Sequence, residues 1–234
     1  MSDNDNFRQT SAMSAGSSVA RGASRAHAAR VTLVLVAAAL SPGCAHVPAD
    51  ALAVPVVRQE TDYSCGPATL LAVLRYWRAF DGREQDLYGP LQTSVQDGTE
   101  PGPLEAFARA RGLTAEVRVG ATVAELRRAL AAGETVILDL QAWRDDDRAW
   151  ASDWDDGHYV VLVAIDGRRL YAMDPSADSG YSWLDADELL TRWHDYVKRG
   201  DGVVHLQHLA LFIHGSSHLA WRGRAAERRV EKMR

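Results

Sequence analysis

From residue 65 the apolar positions recur at helical spacing, and beyond residue 135 they gather into short runs rich in Val, Ile and Leu, so the structural period changes along the chain. Leu70, Leu74 and Trp77 share one face of a helix. Pro67 suits its first position, where a missing N–H costs nothing, and Asp81-Gly82 closes it. Residues 103–111 and 122–132 predict two further helices, each ended by a glycine (Gly112, Gly133) and followed by strand-like residues. Residues 54–57 read as a short strand and 59–64 as a polar turn that delivers the chain to Cys65. Strands are predicted over 135–140, 159–165, 170–173 and 203–213, with a hairpin turn at Asp166-Gly167 and a helix over 185–196. The pattern predicts an α+β fold, helices early and an antiparallel sheet late, without internal repeats.

A chain of 234 residues has room for one domain with a substantial core and not for two. The composition, 47% hydrophobic and 24% charged, excludes a coiled coil or wholesale disorder. A net charge of -5 argues against nucleic acid as partner, since phosphate binding needs surplus Lys and Arg. The basic stretch 220–234 is a local exception, read as a solvated or frayed helical terminus.

Residues 1–44 read as a leader. Arg21, Arg25 and Arg30 precede an apolar run over 31–40, half the length a membrane-spanning helix needs, so a cleaved signal is expected. The run leads into Ser41-Pro42-Gly43-Cys44, which resembles a bacterial lipoprotein signal with Cys44 as the lipidated residue. The rival is ordinary secretory cleavage around Gly43-Cys44-Ala45, giving a soluble product. Residues 45–52 are expected to be a tether, 53–215 the domain and 216–234 a basic tail. A lipidated Cys44 would leave Cys65 with no disulfide partner even in an oxidising compartment.

A thiol attacks carbonyls as thiolate, and Cys65, just before Gly66-Pro67, sits where free N–H groups and the helix dipole favour an anion. Gly66 is expected to leave room for a substrate backbone. His158 opens the strand 159–165, and the hairpin returns Asp174 to the same end, within about a residue of the opposing position. A carboxylate there would orient the imidazole and stabilise its cation. Taken singly, each residue has a plainer reading: a buried core cysteine, a structural histidine, a turn aspartate before Pro175.

Together, Gln59, then Ser64-Cys65-Gly66-Pro67-Ala68 opening a helix, Gly157-His158-Tyr159-Val160-Val161 and Asp174-Pro175 resemble the bacteriocin-processing, papain-like cysteine peptidases. The similarity runs roughly from residue 53 to 196. It implies a papain-like fold, the helical N-terminal part packed on an antiparallel sheet. It further implies a peptidase with Cys65 as nucleophile, His158 as general base, Asp174 orienting it and Gln59 in the oxyanion hole, acting on a peptide or protein without a cofactor. Relatives fused to transporters cut leader peptides after paired glycines, a substrate not expected of an exported chain. An amine acceptor in place of water would make a thiol acyltransferase, and a non-catalytic lipoprotein binding peptide in the same cleft is the alternative from another class. A monomer is expected, anchored by lipid to the cell envelope; Ala45 rather than Asp after Cys44 resembles outer-membrane sorting.

The acidic, aromatic loop 143–157 reads either as a wall of the substrate cleft, its aspartates favouring basic peptides, or as a solvated loop pinned by a tryptophan. It lacks the Gly and Glu of a calcium-binding loop. His205, His208 and His214 are not expected to hold a metal: on one continuous strand His205 and His208 point to opposite faces, and His208 and His214 lie roughly 20 Å apart.

Overall fold

The computed structural model describes residues 46–144, 149–218 and 228–234. The leader with Cys44, and 219–227 of the expected tail, lie outside the described residues. Seven strands form one sheet: β1 (Thr114–Arg118), β2 (Thr135–Gln141), β3 (Gly157–Asp166), β4 (Arg169–Met173), β5 (Tyr181–Asp185), β8 (Ala210–His214) and β9 (Glu231–Lys232), in the order β1-β8-β2-β3-β4-β5-β9. All neighbours are antiparallel except β5 and β9. β6 (His194–Arg199) and β7 (Gly202–Gln207) make a separate antiparallel ribbon.

Both faces of the sheet are covered, which is why β2 is buried at every position. On one face α1 (Cys65–Tyr76) and α3 (Pro101–Ala110) bury Leu70, Leu74 and Leu104 in one core with Ile137, Tyr159 and Val161. On the other, α4 (Val123–Ala131) and α5 (Ala186–Arg192) bring Leu126 and Leu189 to Val136, Leu138, Val160 and Leu162. The expected α+β class, helices on a mostly antiparallel sheet, is the class observed. α4 begins with a capping box, Thr122 and Glu125 each accepting the other's backbone N–H.

Several expected elements differ. α1 starts at Cys65, which puts Pro67 third; its missing N–H is still one of the four that a helix start leaves unpaired. The helix ends at Tyr76, before Asp81-Gly82, because Arg78 takes a left-handed φ of 54° and Ala79 donates back to the Leu74 carbonyl at 2.8 Å. Residues 54–57 join no sheet, and Pro55 has no N–H to give a ladder. A short helix, α2 (Gln85–Tyr88), and the strand β5 were not anticipated. The helix expected over 185–196 stops at Arg192, and 194–199 becomes β6. The single strand expected over 203–213 breaks at His208, whose φ is 55°, so β7 and β8 belong to different sheets.

That break removes the premise of one histidine strand. His205 stacks on Trp154, His208 on Trp193, and His214 meets Trp77 edge-on. Residues 46–52, expected as a tether, pack on the domain: Val47 is buried, and Leu52 donates to the Val163 carbonyl at 2.9 Å. Residues 228–234, expected as frayed tail, also join it: Arg229 bridges to His46, and β9 extends the sheet past β5.

Candidate active site

Cys65 is a half-buried free thiol at the first position of α1. The turn before it is fixed by Ser64, whose hydroxyl accepts from the Thr61 N–H (3.0 Å) and donates to the Thr61 carbonyl (3.1 Å). The backbone N–H groups of the first turn have no helical partner and lie at the positive end of the helix, a setting that favours negative charge on sulfur. The space beside Gly66 is not left for substrate. A Cβ there would lie 2.7 Å from the Thr99 Cβ, so the glycine serves the close approach of the 99 loop to α1.

His158 and Asp174 are brought together. Nε2 and Oδ1 are 3.0 Å apart, and both side chains are buried. A bulge in β3 makes this work. Asp166 pairs with Arg169 and Leu162 with Ala172, leaving Val163 as an extra residue. Without it Asp174 would oppose Val161, on the other face from His158; with it, continuing the Val161–Met173 register, Asp174 opposes Val160 and shares His158's face. The pair is therefore diagonal rather than directly opposed, two residues off where about one was expected. Ser176 completes the grip on Asp174 Oδ1, through its N–H (3.0 Å) and its hydroxyl (2.8 Å).

Burial opposes charge on His158, but the hydrogen bond and negative charge of Asp174, and then the neighbouring Cys65, outweigh it and raise the ring's pKa to about 9. Burial likewise acts against the Asp174 carboxylate, and His158 together with the Ser176 N–H overcomes it, holding the carboxyl far below its ordinary range. Nδ1 is buried and makes no hydrogen bond, so the Cys65 influence reflects a sulfur near the ring, not a formed bond. With Nε2 taken by Asp174, Nδ1 is the nitrogen left for the thiol. Trp143 lies against the imidazole with ring centres 4.4 Å apart.

Gln59 is tied to both halves of the site. Its N–H donates to the Pro175 carbonyl at 3.1 Å, and its Nε2 donates to the Thr61 carbonyl at 2.9 Å. Its amide is thus engaged by the turn before Cys65, not by Cys65 itself, with Oε1 buried and unpartnered. The next residue is held by Glu84, which accepts the Glu60 N–H. Of the loop tryptophans, Trp154 lines the cleft beside Cys65, whereas Trp150 lies under the Arg192 guanidinium.

Sequence reasoning missed Ser176, and it missed Asp139 of β2 and Asp195 of β6, which line the cleft beside Cys65. Ser176 had a signal, since an aspartate before proline commonly accepts from the N–H two residues on. Asp139 had one as well: a carboxylate inside an apolar strand run is rarely buried without a partner. Asp195 had none, because it was placed within a helix.

Residues 51–201 match the model of the Peptidase_C39 like family. The chain belongs to this family. A search of curated proteins gives no match. Among solved structures, a protein described as a C39-like peptidase from Bacillus anthracis is 18% identical, with a TM-score of 0.52 over 74% of this chain and 99% of that one. The peptidase domain of Streptococcus ComA, a bi-functional ABC transporter, is 16% identical with a TM-score of 0.49, over 70% and 99% of the two chains. A double glycine motif protease from an AMS/PCAT transporter, solved with its leader peptide, is 19% identical with a TM-score of 0.47, over 72% and 96%. The family match bears out the resemblance drawn from the motifs, and the first of these structures bears out the fold. Family and fold together support a cysteine-peptidase-like function.

Proposed function

We propose that the protein hydrolyses peptide bonds through a thioester on Cys65. The observation that carries this reading is the buried His158–Asp174 pair, 3.0 Å apart, beside a free thiol at a helix start. His158 takes the thiol proton at Nδ1, and Asp174 holds the resulting imidazolium. Sulfur bonds to the substrate carbonyl carbon, and the oxygen becomes an oxyanion facing the Cys65 N–H and the second Nε2 proton of Gln59, the first being given to Thr61. As the C–N bond breaks, His158 protonates the leaving amine. It then takes a proton from water, whose oxygen displaces sulfur and releases the acid, and the thiol is restored.

Among the described residues no helix is long and apolar enough to cross a membrane. The leader supports a further part of the proposal, export with a lipid on Cys44 that holds the domain in the cell envelope. Mass spectrometry of the exported chain, with Cys44→Ser as control, tests it.

Thiol labelling across pH tests the chemistry, in the full chain carrying Cys44→Ser so that Cys65 is the one thiol. Rapid labelling below pH 8 that slows at least about tenfold in His158→Ala is the expected result. Slow labelling that His158→Ala leaves unchanged would favour the binding-protein alternative. Cys65→Ser should abolish turnover of any peptide the wild type cleaves.

A further inference from the structure

Cys65 opens on a cleft of about 250 Å³ whose inner wall is acidic. Asp139 of β2 and Tyr159 of β3 are register partners, so both side chains leave the same face of the sheet, the one against which α1 packs. Asp195 arrives from β6, passing over Gly157. A Cβ at that glycine would lie 2.2 Å from Asp195 Oδ2, so a bare backbone is what lets the carboxylate in. The Tyr196 N–H (2.8 Å) and Gln141 Nε2 (3.4 Å) hold Asp195 Oδ1 in place. Asp139 is 3% exposed, and its Oδ1 has no hydrogen-bond partner.

Nothing in the hydrolytic cycle uses these two carboxyls. For packing alone the arrangement is poor, because a buried acid set beside a half-buried one is less stable than apolar residues of similar size. Burial, then the charge of its neighbour, pushes the Asp139 carboxyl well up, and burial pushes Asp195 up as well, so charge on this pair is disfavoured without a counter-charge. A cationic group in the cleft would supply that counter-charge and a donor for the free oxygen. The basic residues nearby do not fill this role: Lys198, at the cleft's edge, is paired with Asp97, and Arg199 with Glu100 at 2.6 Å. The space admits one long side chain with its flanking backbone.

We propose that Asp139, Asp195 and Tyr159 form a selectivity pocket beside Cys65 that receives a cationic side chain of the substrate, lysine or arginine, next to the bond cleaved. The reference to a cleaved bond rests on the peptidase reading; the cation preference of the pocket does not.

Two measurements on the full Cys44→Ser chain separate the two. Cys65 is labelled with size-matched thiosulfonates, one bearing a trimethylammonium and one a sulfonate, in wild type, Asp139→Asn, Asp195→Asn and the double variant. A peptide library is then profiled with the same proteins. The cationic reagent should react at least about tenfold faster than the anionic one, and the double variant should erase most of that ratio. Cleavage should favour Lys or Arg at one position flanking the bond, and the basic-to-neutral ratio of kcat/KM should fall about tenfold in either single variant. Equal labelling by the two reagents, or a ratio the double variant leaves intact, overturns the pocket; cleavage without basic preference overturns it too while leaving the peptidase reading standing. Cation-selective labelling with no peptide cleaved keeps the pocket and removes the peptidase. Should Asp139→Asn fail to fold, Asp195→Asn alone carries the comparison.

Discussion

His158 is 1% exposed, yet its pKa is raised to about 9, and Asp174 is the counter-charge that lets the buried ring hold a proton. This couples the site to stability with a definite sign. The folded value lies above the ordinary 6.5, so the contribution is complete below pH 6.5 and is lost as pH rises through about 9. The depressed Asp174 carboxyl describes the same pair from its acid side: that contribution is present above the ordinary carboxylate value and lost as pH falls, and it counts once. A shift of this size is worth about 3 kcal/mol. Urea unfolding at pH 6 and pH 9.5 should show the wild type losing about that much more than Asp174→Asn across the interval. Equal losses in the two proteins would place the cause of the raised pKa elsewhere.

Elements, not isolated residues, set this geometry, and two of them do so by close approach. The β3 bulge decides which face Asp174 joins, and the bulged residue's carbonyl is taken by Leu52. At Gly66 the second residue of α1 touches Thr99. Gly66→Ala should therefore destabilise the domain by about 1–3 kcal/mol through overpacking, although alanine is the better helix former. Adding Thr99→Gly should recover part of the loss, a coupling that a double-mutant cycle on thermal unfolding reads; additive losses would show that the contact is not the cause. What could be read from sequence follows the same division. The helix behind Cys65 and the 159–173 hairpin were legible because their periods and turn residues agree with their burial. The ribbon was not: Val203 and Val204 look like the apolar residues of β8, but they are exposed on β7, and only pairing with β6 distinguishes them. Cys65, His158 and Asp174 were legible as motifs, and the acidic pocket was not, because Asp195 meets Asp139 across elements whose order in the sheet no local pattern encodes.

At the scale of the whole molecule, the family match ends at residue 201, yet the structure does not. β8 fills the sheet between β1 and β2, and residues 228–234 close the far edge. There Val230 and Met233 are buried, the Met233 N–H donates to the Trp183 carbonyl at 2.9 Å, and Glu231 accepts the N–H of Asp178, four residues beyond Asp174. The same segment walls a small cavity next to His158 and Asp174. Deleting 228–234 should thus act twice. Losing two buried apolar side chains should cost at least about 3 kcal/mol, seen as a lower midpoint in urea. Uncovering the β5 edge should also make the protein associate with rising concentration, seen by light scattering. Cys65 labelling in the same truncated chain separates stability from chemistry: below the unfolding transition it should remain faster than in His158→Ala, because α1, β3 and the bulge are intact. If labelling instead falls to the His158→Ala rate in the folded protein, the C-terminal strand positions the imidazole as well as closing the sheet.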